Sequence, residues 1–200
     1  GGYGLFSASN FRVVTQRTRL AFPEITIGLF PDAGGTLVMR NLPPKIAALL
    51  TMTGGQVNAT DALALGVGTH LIDHEGRADF LEGLKQLNWQ AGSPDANTEV
   101  LQNYLATQTH VGGLPSSDVA EVDIETIDLS NLKACFDSIL ALEGTSKWMD
   151  RGIANLRNGC PVTAGIIFKQ LGLGPTLSLA ECFMTELAIA TNCLSRPDFA

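Results

Sequence analysis

The sequence predicts an α/β fold with strand confined to its first half and a helical C-terminal region. Three patterns predict it. Phe11-Arg-Val-Val-Thr-Gln16 and Val67 to Ile72 are short β-branched runs of the kind that form strands. From Gly35 onward apolar residues recur at helical spacing. In the tail, Leu132, Cys135, Phe136, Ile139 and Leu140 follow i, i+3, i+4, i+7 and i+8, which places them on one apolar helix face.

Taken in order, Gly1-Gly2-Tyr3-Gly4 precedes Leu5 and Phe6 and is expected to open a helix. The rest of the first thirty residues reads as extended and glycine-punctuated, with Arg19-Leu-Ala-Phe22 as a candidate partner strand for Phe11–Gln16. Leu37, Val38 and Leu42 lead to Pro43-Pro44, and Ile46, Leu49, Leu50 and Met52 then mark a second helix that ends at Gly54-Gly55. Asn58-Ala-Thr-Asp61 is a helix start, and Gly66 closes that helix. Arg77 to Leu87 reads as an amphipathic helix. Residues 88–99 and 108–131 are polar and rich in Pro, Gly and Ser, with a helix expected around Val100 to Ala106. In the tail, Pro161 begins a helix that stops at Gly172, and Ser178-Leu-Ala-Glu181 is a capping-box pattern. These apolar stripes read as core or interface faces. The expected organisation is a compact front part over 1–90, a linker-rich segment over 91–131 and a helical region over 132–200.

Composition narrows the function classes. The 200 residues are 45% hydrophobic and 16% charged, with a mean hydropathy of +0.16, which is the profile of a chain that buries a core. Net charge is −7, and the densest cationic stretch, Gln16-Arg17-Thr18-Arg19, is too small for a nucleic-acid footprint. No apolar run reaches membrane-spanning length. The opening Gly-Gly-Tyr-Gly has no basic n-region, so no signal peptide is expected there. Cys135, Cys160, Cys182 and Cys193 show no CxxC and no paired metal spacing, and read as reduced thiols filling the core of an intracellular protein. His70 and His74 stand four apart at a strand exit and in a loop, where that spacing gives no common face. His110 reads as solvated, and no metal site is expected.

Most of the functional signal lies in residues 21–36. Glu24 and Asp32 each follow a proline directly and sit eight residues apart among apolar or small neighbours. A carboxylate held among Phe22, Ile25, Ile27 and Phe30 is poorly solvated, which disfavours its charged form and moves its pKa toward neutrality. General bases and carboxylate nucleophiles are made in this way; the competing reading is two solvated loop acids. The glycine cluster at the N-terminus would let backbone N–H groups converge on a developing oxyanion, although a tight turn is the more common reading of such a cluster alone.

These residues carry a resemblance. Gly1-Gly2-Tyr3-Gly4, the strand Phe11 to Gln16, Phe22-Pro23-Glu24, Gly28-Leu-Phe-Pro-Asp-Ala-Gly-Gly35, and Leu50-Thr-Met-Thr-Gly54 followed by Ala62-Leu-Ala-Leu-Gly66 resemble the crotonase (enoyl-CoA hydratase/isomerase) superfamily. Within it they are most similar to the 3-hydroxyisobutyryl-CoA hydrolase branch. Hydratases of the family carry glutamate where this chain has Gly4, and usually a small residue where it has Asp32. Cys160-Pro-Val-Thr163, Gln170-Leu171, Leu177-Ser-Leu-Ala-Glu181 and Arg196-Pro-Asp-Phe199 extend the resemblance through the tail.

The resemblance implies the later half of a crotonase-like spiral ββα core followed by helices. It implies that Gly1 supplies one oxyanion-hole N–H. Glu24 would act on a thioester as nucleophile or as base for water, and Asp32 would orient the acyl hydroxyl or the water, or transfer a proton. The implied reaction is hydrolysis of a short β-hydroxyacyl-CoA, of the kind met in valine catabolism, to free acid and CoA. No metal or cofactor is implied, coenzyme A being part of the substrate, and the implied setting is a bacterial cytoplasm or the mitochondrial matrix. In that family a long stretch precedes the glycine motif, so the implied partners are an N-terminal segment that completes the site, or further copies in a homo-oligomer. Two other readings stand beside this one: enoyl-CoA isomerisation or hydration on the same scaffold, and a non-catalytic fragment that binds acyl-CoA or only assembles.

Overall fold

The computed structural model describes residues 2–108 and 112–195. They form two compact units, each discontinuous in sequence: the described parts of 1–9, 20–57 and 117–200, and those of 10–19 and 58–116. His110 and Arg196–Phe199 lie outside the described residues.

The first unit is built around helix α3 (Pro44–Thr53), which starts on a proline and ends at Gly54 with a left-handed φ of 62°. Ala47, Ala48, Leu49, Leu50 and Met52 are fully buried, so the helix is covered on all sides past its first turn, its buried Thr51 and Thr53 hydroxyls donating to the Ala47 and Leu49 carbonyls. Around it pack α8 (Lys147–Asn158) and α9 (Pro161–Leu173), while α7 (Leu132–Leu140) lies on α9. The shared core includes Leu49, Met52, Cys135, Ile139, Met149, Ile153 and Ile167. Each fully buried Leu, Ile or Met is worth about 1.5–3 kcal/mol of transfer free energy. The expected stripe of α7 is the face that meets this core: Cys135 and Ile139 are buried, and Leu132, Phe136 and Leu140 pack against it. Local caps fix the helix starts. Asn131 accepts from the Ala134 N–H and Ser146 from the Met149 N–H. Ser178 and Glu181 form a complete capping box at the start of α10 (Leu179–Cys193). Two further helices, α1 (Gly2–Ser7) and α2 (Gly35–Arg40), belong to this unit.

In the second unit β1 (Val13–Val14) pairs in parallel with β2 (His70–Leu71), Val13 opposite His70 and Val14 opposite Leu71. Both strands are shorter than their β-branched runs. At the open end the Arg12 carbonyl still accepts from the Thr69 and His70 N–H groups at 2.8 and 3.2 Å, while the Arg12 N–H reaches Thr69 Oγ1 at 2.7 Å and its Nε–H the Val67 carbonyl at 2.7 Å. Arg19–Phe22 does not pair with this strand. Leu20 instead forms an isolated antiparallel bridge with Val57, inside the first unit. Helices α4 (Ala59–Ala64), α5 (Arg77–Gln86) and α6 (Pro94–Ala106) complete the second unit. Asn58 caps α4 through the Asp61 N–H, as its sequence predicts. Helix α6 begins six residues before the expected Val100, on Pro94, a residue suited to the first turn of a helix. Its inner face joins Ile72, Phe80 and Leu105 in a small core. The Tyr104 hydroxyl donates to the Phe80 carbonyl at 3.0 Å. No helix among the described residues is long and apolar enough to cross a membrane.

Candidate active site

Glu24 lies in a 3-10 turn, Pro23–Thr26, that Pro23 helps to start. Phe22 ahead of it is kept out of helical geometry (φ −108°, ψ 82°), as a residue before proline must be. The turn is fastened from behind. Ile25 is 1% exposed, its carbonyl accepts from the Cys160 N–H at 3.1 Å, and Gly159 comes so close that a Cβ there would stand 2.9 Å from the same carbonyl oxygen. Thus the α8–α9 junction carries the Glu24 turn. Burial raises the Glu24 pKa above its ordinary 4.5, its own backbone N–H opposes that rise, and the negative charge of Asp32 adds to it. Glu24 Oε2 is buried, and no donor among the described residues reaches it.

Asp32 sits in the loop that enters α2. Ala33 and Gly34 that follow it are both left-handed, with φ of 50° and 88°, and Gly34 is the N-cap without a side chain to cap with. The cap comes from α10. Glu186, 4% exposed, accepts from the Gly34 N–H at 2.9 Å and the Thr36 N–H at 3.0 Å. From α9, Gln170 donates Nε2–H to the Pro31 carbonyl at 2.8 Å and to Thr36 Oγ1 at 2.9 Å. The Gly35 N–H closes on the Asp32 carbonyl at 2.8 Å. Asp32 itself is exposed. The apolar enclosure expected for both acids therefore holds for Glu24 only, and even there Ile27 faces solvent at 60% exposure. The cause is the turn geometry, which buries Phe22, Ile25 and Phe30 and turns Ile27 and Asp32 outward.

Helix α1 bridges the two carboxylate segments. The Tyr3 ring packs on Phe22 with centroids 4.6 Å apart, next to Pro23-Glu24. One residue on, Gly4 meets the backbone of the Asp32 loop so closely that a Cβ would stand 2.5 Å from the Ala33 carbonyl oxygen. Only glycine fits there without movement. The structure therefore brings Glu24, Asp32 and the glycine motif together, while Gly1, expected to supply an oxyanion N–H, lies outside the described residues. A cavity of about 410 Å³ opens beside Gly4, Ala33 and Gly34 and is floored by Leu37 and Phe183; neither carboxylate lines it.

Other candidates do not converge. His70 Nδ1 lies 2.8 Å from Thr69 Oγ1 and His74 Nδ1 3.0 Å from Thr15 Oγ1, and burial, followed by the Arg77 charge, pushes the His74 pKa down. Among the described residues no three His, Cys, Asp or Glu side chains group as a metal site requires. All four cysteines are free and all but Cys160 are buried. Glu186 and Gln170 are the residues that sequence reasoning missed. The available signal was an acid among Phe183, Met184, Leu187 and Ala188, where a helix is otherwise apolar, and an amide in the apolar run Ile166 to Leu171.

Residues 1–200 match the model of the enoyl-CoA hydratase/isomerase family, and the chain belongs to that family. It is similar to the mitochondrial 3-hydroxyisobutyryl-CoA hydrolases of Dictyostelium discoideum, at 30% identity over 204 residues, and of Homo sapiens, at 29% over 207. Each match covers 100% of this chain and 51% of the relative, so the chain spans about half the length of the curated relatives it matches. Its fold is similar to the crystal structure of a carnitinyl-CoA dehydratase from Mycobacterium thermoresistibile, with a TM-score of 0.79 at 21% identity over 99% of this chain and 55% of the other. An enoyl-CoA hydratase from Rhodobacter sphaeroides 2.4.1 gives a TM-score of 0.70 at 22% identity over 99% and 54%. At these identities the likeness speaks for the fold alone, and that fold is the crotonase fold expected from the sequence.

Proposed function

We propose that this chain carries the carboxylate pair of an acyl-CoA thioester hydrolase acting on a short β-hydroxyacyl group, with 3-hydroxyisobutyryl-CoA as the model substrate. The observation that carries the reading is Glu24: a half-buried carboxylate of raised pKa, with one buried oxygen that no donor among the described residues reaches, beside an exposed second acid. Such a group is a poorly solvated base or nucleophile at neutral pH. As nucleophile, it attacks the thioester carbonyl carbon, the C–S bond breaks, CoA leaves as the thiol once protonated, and water then cleaves the mixed anhydride to return the carboxylate. As base, it takes a proton from water, whose oxygen attacks the same carbon; the C–S bond then breaks, and the proton held by Glu24 passes to the leaving thiolate. Both routes release one free acid and one CoA, and in both Asp32 orients the acyl hydroxyl or the water. Neither route requires a metal or redox cofactor, coenzyme A entering as part of the substrate.

The names of the relatives support the hydrolase over the other family chemistries, and so does Gly4. The family's hydratases are expected to place a second glutamate there, and here the Ala33 carbonyl closes that position to any side chain. Hydration or isomerisation of an enoyl-CoA is the competing reading, favoured by the description of the matching family. The deciding experiment is release of free thiol from 3-hydroxyisobutyryl-CoA by the full-length protein, with Glu24→Gln beside it. Thiol release lost in the variant, with an unchanged melting profile, supports the reading. Full activity in Glu24→Gln sinks it, as does consumption of an enoyl-CoA without thiol release.

A further inference from the structure

Asp32 stands two residues before Gly34 and three before Gly35, the register in which an aspartate folds back on its own loop and accepts the next backbone N–H groups in an Asx turn or helix cap. It does not do so here. Each N–H it would take is already held: Gly34 and Thr36 by the Glu186 carboxylate at 2.9 and 3.0 Å, and Gly35 by the Asp32 backbone carbonyl at 2.8 Å. A side chain 152 positions away thus performs a capping task for which a suitable residue sits two positions away. This is an expensive way to cap a helix, because burying a carboxylate carries a desolvation cost that the hydrogen bonds must offset. Capping alone therefore does not account for Glu186. What the distant carboxylate adds is the release of the local one. Among the described residues no hydrogen bond or ion pair engages the Asp32 carboxylate, and it remains exposed.

We propose that Glu186 is a positioning residue that occupies the Gly34 and Thr36 N–H groups in place of Asp32, and so keeps the Asp32 carboxylate turned out toward the acyl group. The part that concerns turnover rests on the hydrolase reading above; the part that concerns the Asp32 conformation does not. Glu186→Gln preserves volume but offers one accepting oxygen and one NH₂ group, so one of the two backbone donors is returned to Asp32. Glu186→Ala frees the Gly34 N–H, the one in register with Asp32, without ambiguity.

The test is a mutant cycle in the full-length protein with 3-hydroxyisobutyryl-CoA, together with the crystal structure of Glu186→Gln or Glu186→Ala. We expect Glu186→Gln to lower kcat by about 10- to 100-fold, the scale on which a misplaced catalytic group loses rate, with KM changed by no more than about twofold. In an Asp32→Ala background the same substitution should cost nothing further, because the group it protects is gone. In the variant crystal, Asp32 should accept from the Gly34 N–H. Equal losses of rate in both backgrounds would make Glu186 a structural residue and overturn the proposal. An Asp32 carboxylate still turned outward in the variant would overturn it independently of any activity. If the parent protein releases no thiol, the hydrolase reading falls, and the crystal structure still decides the role of Glu186.

Discussion

Gln170 donates its side-chain N–H to the carbonyl of Pro31, the residue immediately before Asp32, at 2.8 Å. With Glu186 on the Gly34 N–H, it brackets the acid from both sides. The helices read from sequence as core or interface faces are therefore what holds the candidate site. Replacing Gln170 by Met keeps the volume and leaves the Pro31 carbonyl and the Thr36 hydroxyl without that donor. We expect a loss of about 1–3 kcal/mol, seen as a fall in Tm of about 2–4 °C per kcal/mol, and a larger proportional loss of thioesterase rate than of stability. A rate equal to that of the parent would show that the loop needs no second fastening.

The raised pKa of Glu24 has a pH signature of defined sign. The folded state binds the proton more tightly than the unfolded chain, so the protonated acid favours folding, and that contribution is lost as pH rises from 4.5 through the folded pKa. Glu24→Gln should remove this slope from a plot of Tm against pH. Under the proposed hydrolase reading, in which ionised Glu24 acts on the thioester, the acid limb of kcat/KM should inflect above 4.5. An inflection below that value would contradict the burial of the group.

Gly4→Ala introduces a Cβ that would stand 2.5 Å from the Ala33 carbonyl oxygen. Backbone atoms do not give way cheaply, so α1 must move off the Asp32 loop. We expect a destabilisation of about 1–3 kcal/mol, the usual cost of overpacking, and a drop in rate of at least tenfold from misplacement of the pair. Gly2→Ala, where a Cβ meets nothing within 4 Å, serves as the control for Tm.

Ile139→Ala tests the packing that carries these contacts. Ile139 is fully buried in the core shared by α3, α7, α8 and α9. Its truncation should cost about 2–5 kcal/mol by denaturant titration, with m unchanged if unfolding stays cooperative.

Thiol reactivity should separate the cysteines. Cys160 is half-buried and the other three are buried, and burial, with the Asp128 charge behind it, pushes the Cys135 thiol up to about 11. A maleimide should label one site quickly in the native protein and all four only on denaturation, with peptide mapping placing the fast site at Cys160.

What could be read from sequence was what local chemistry decides. Pro44 and Gly54, Asn58 with Asp61, and Ser178 with Glu181 mark helix ends because the bonds that stop or start a helix are made within a few residues. The proline ahead of Glu24 starts its turn for the same reason. The start of α6 was missed because Ser93, Pro94 and Asp95 suit a loop as well as a first helical turn. The exposure of Asp32 was missed because apolar neighbours in sequence are not neighbours in space when the chain turns at Ala33 and Gly34. For Gln170 and Glu186 the sequence shows a polar residue on a mostly apolar helix and not what it binds. Their partners lie 139 and 152 residues away, and no spacing rule spans that distance.

The separation between Gly34 and Glu186 also sets an order of events at the ribosome. At roughly 5–20 residues per second of synthesis, about 8–30 s pass between the emergence of the loop and that of the carboxylate that caps it. Throughout that interval the Asp32 loop lacks its cap, and the nascent chain carries its glutamate and aspartate without the geometry that makes them a pair. The cap is in place only once α10 docks, so a polypeptide that stops short of α10 holds both acids without the carboxylate that fastens the Asp32 loop.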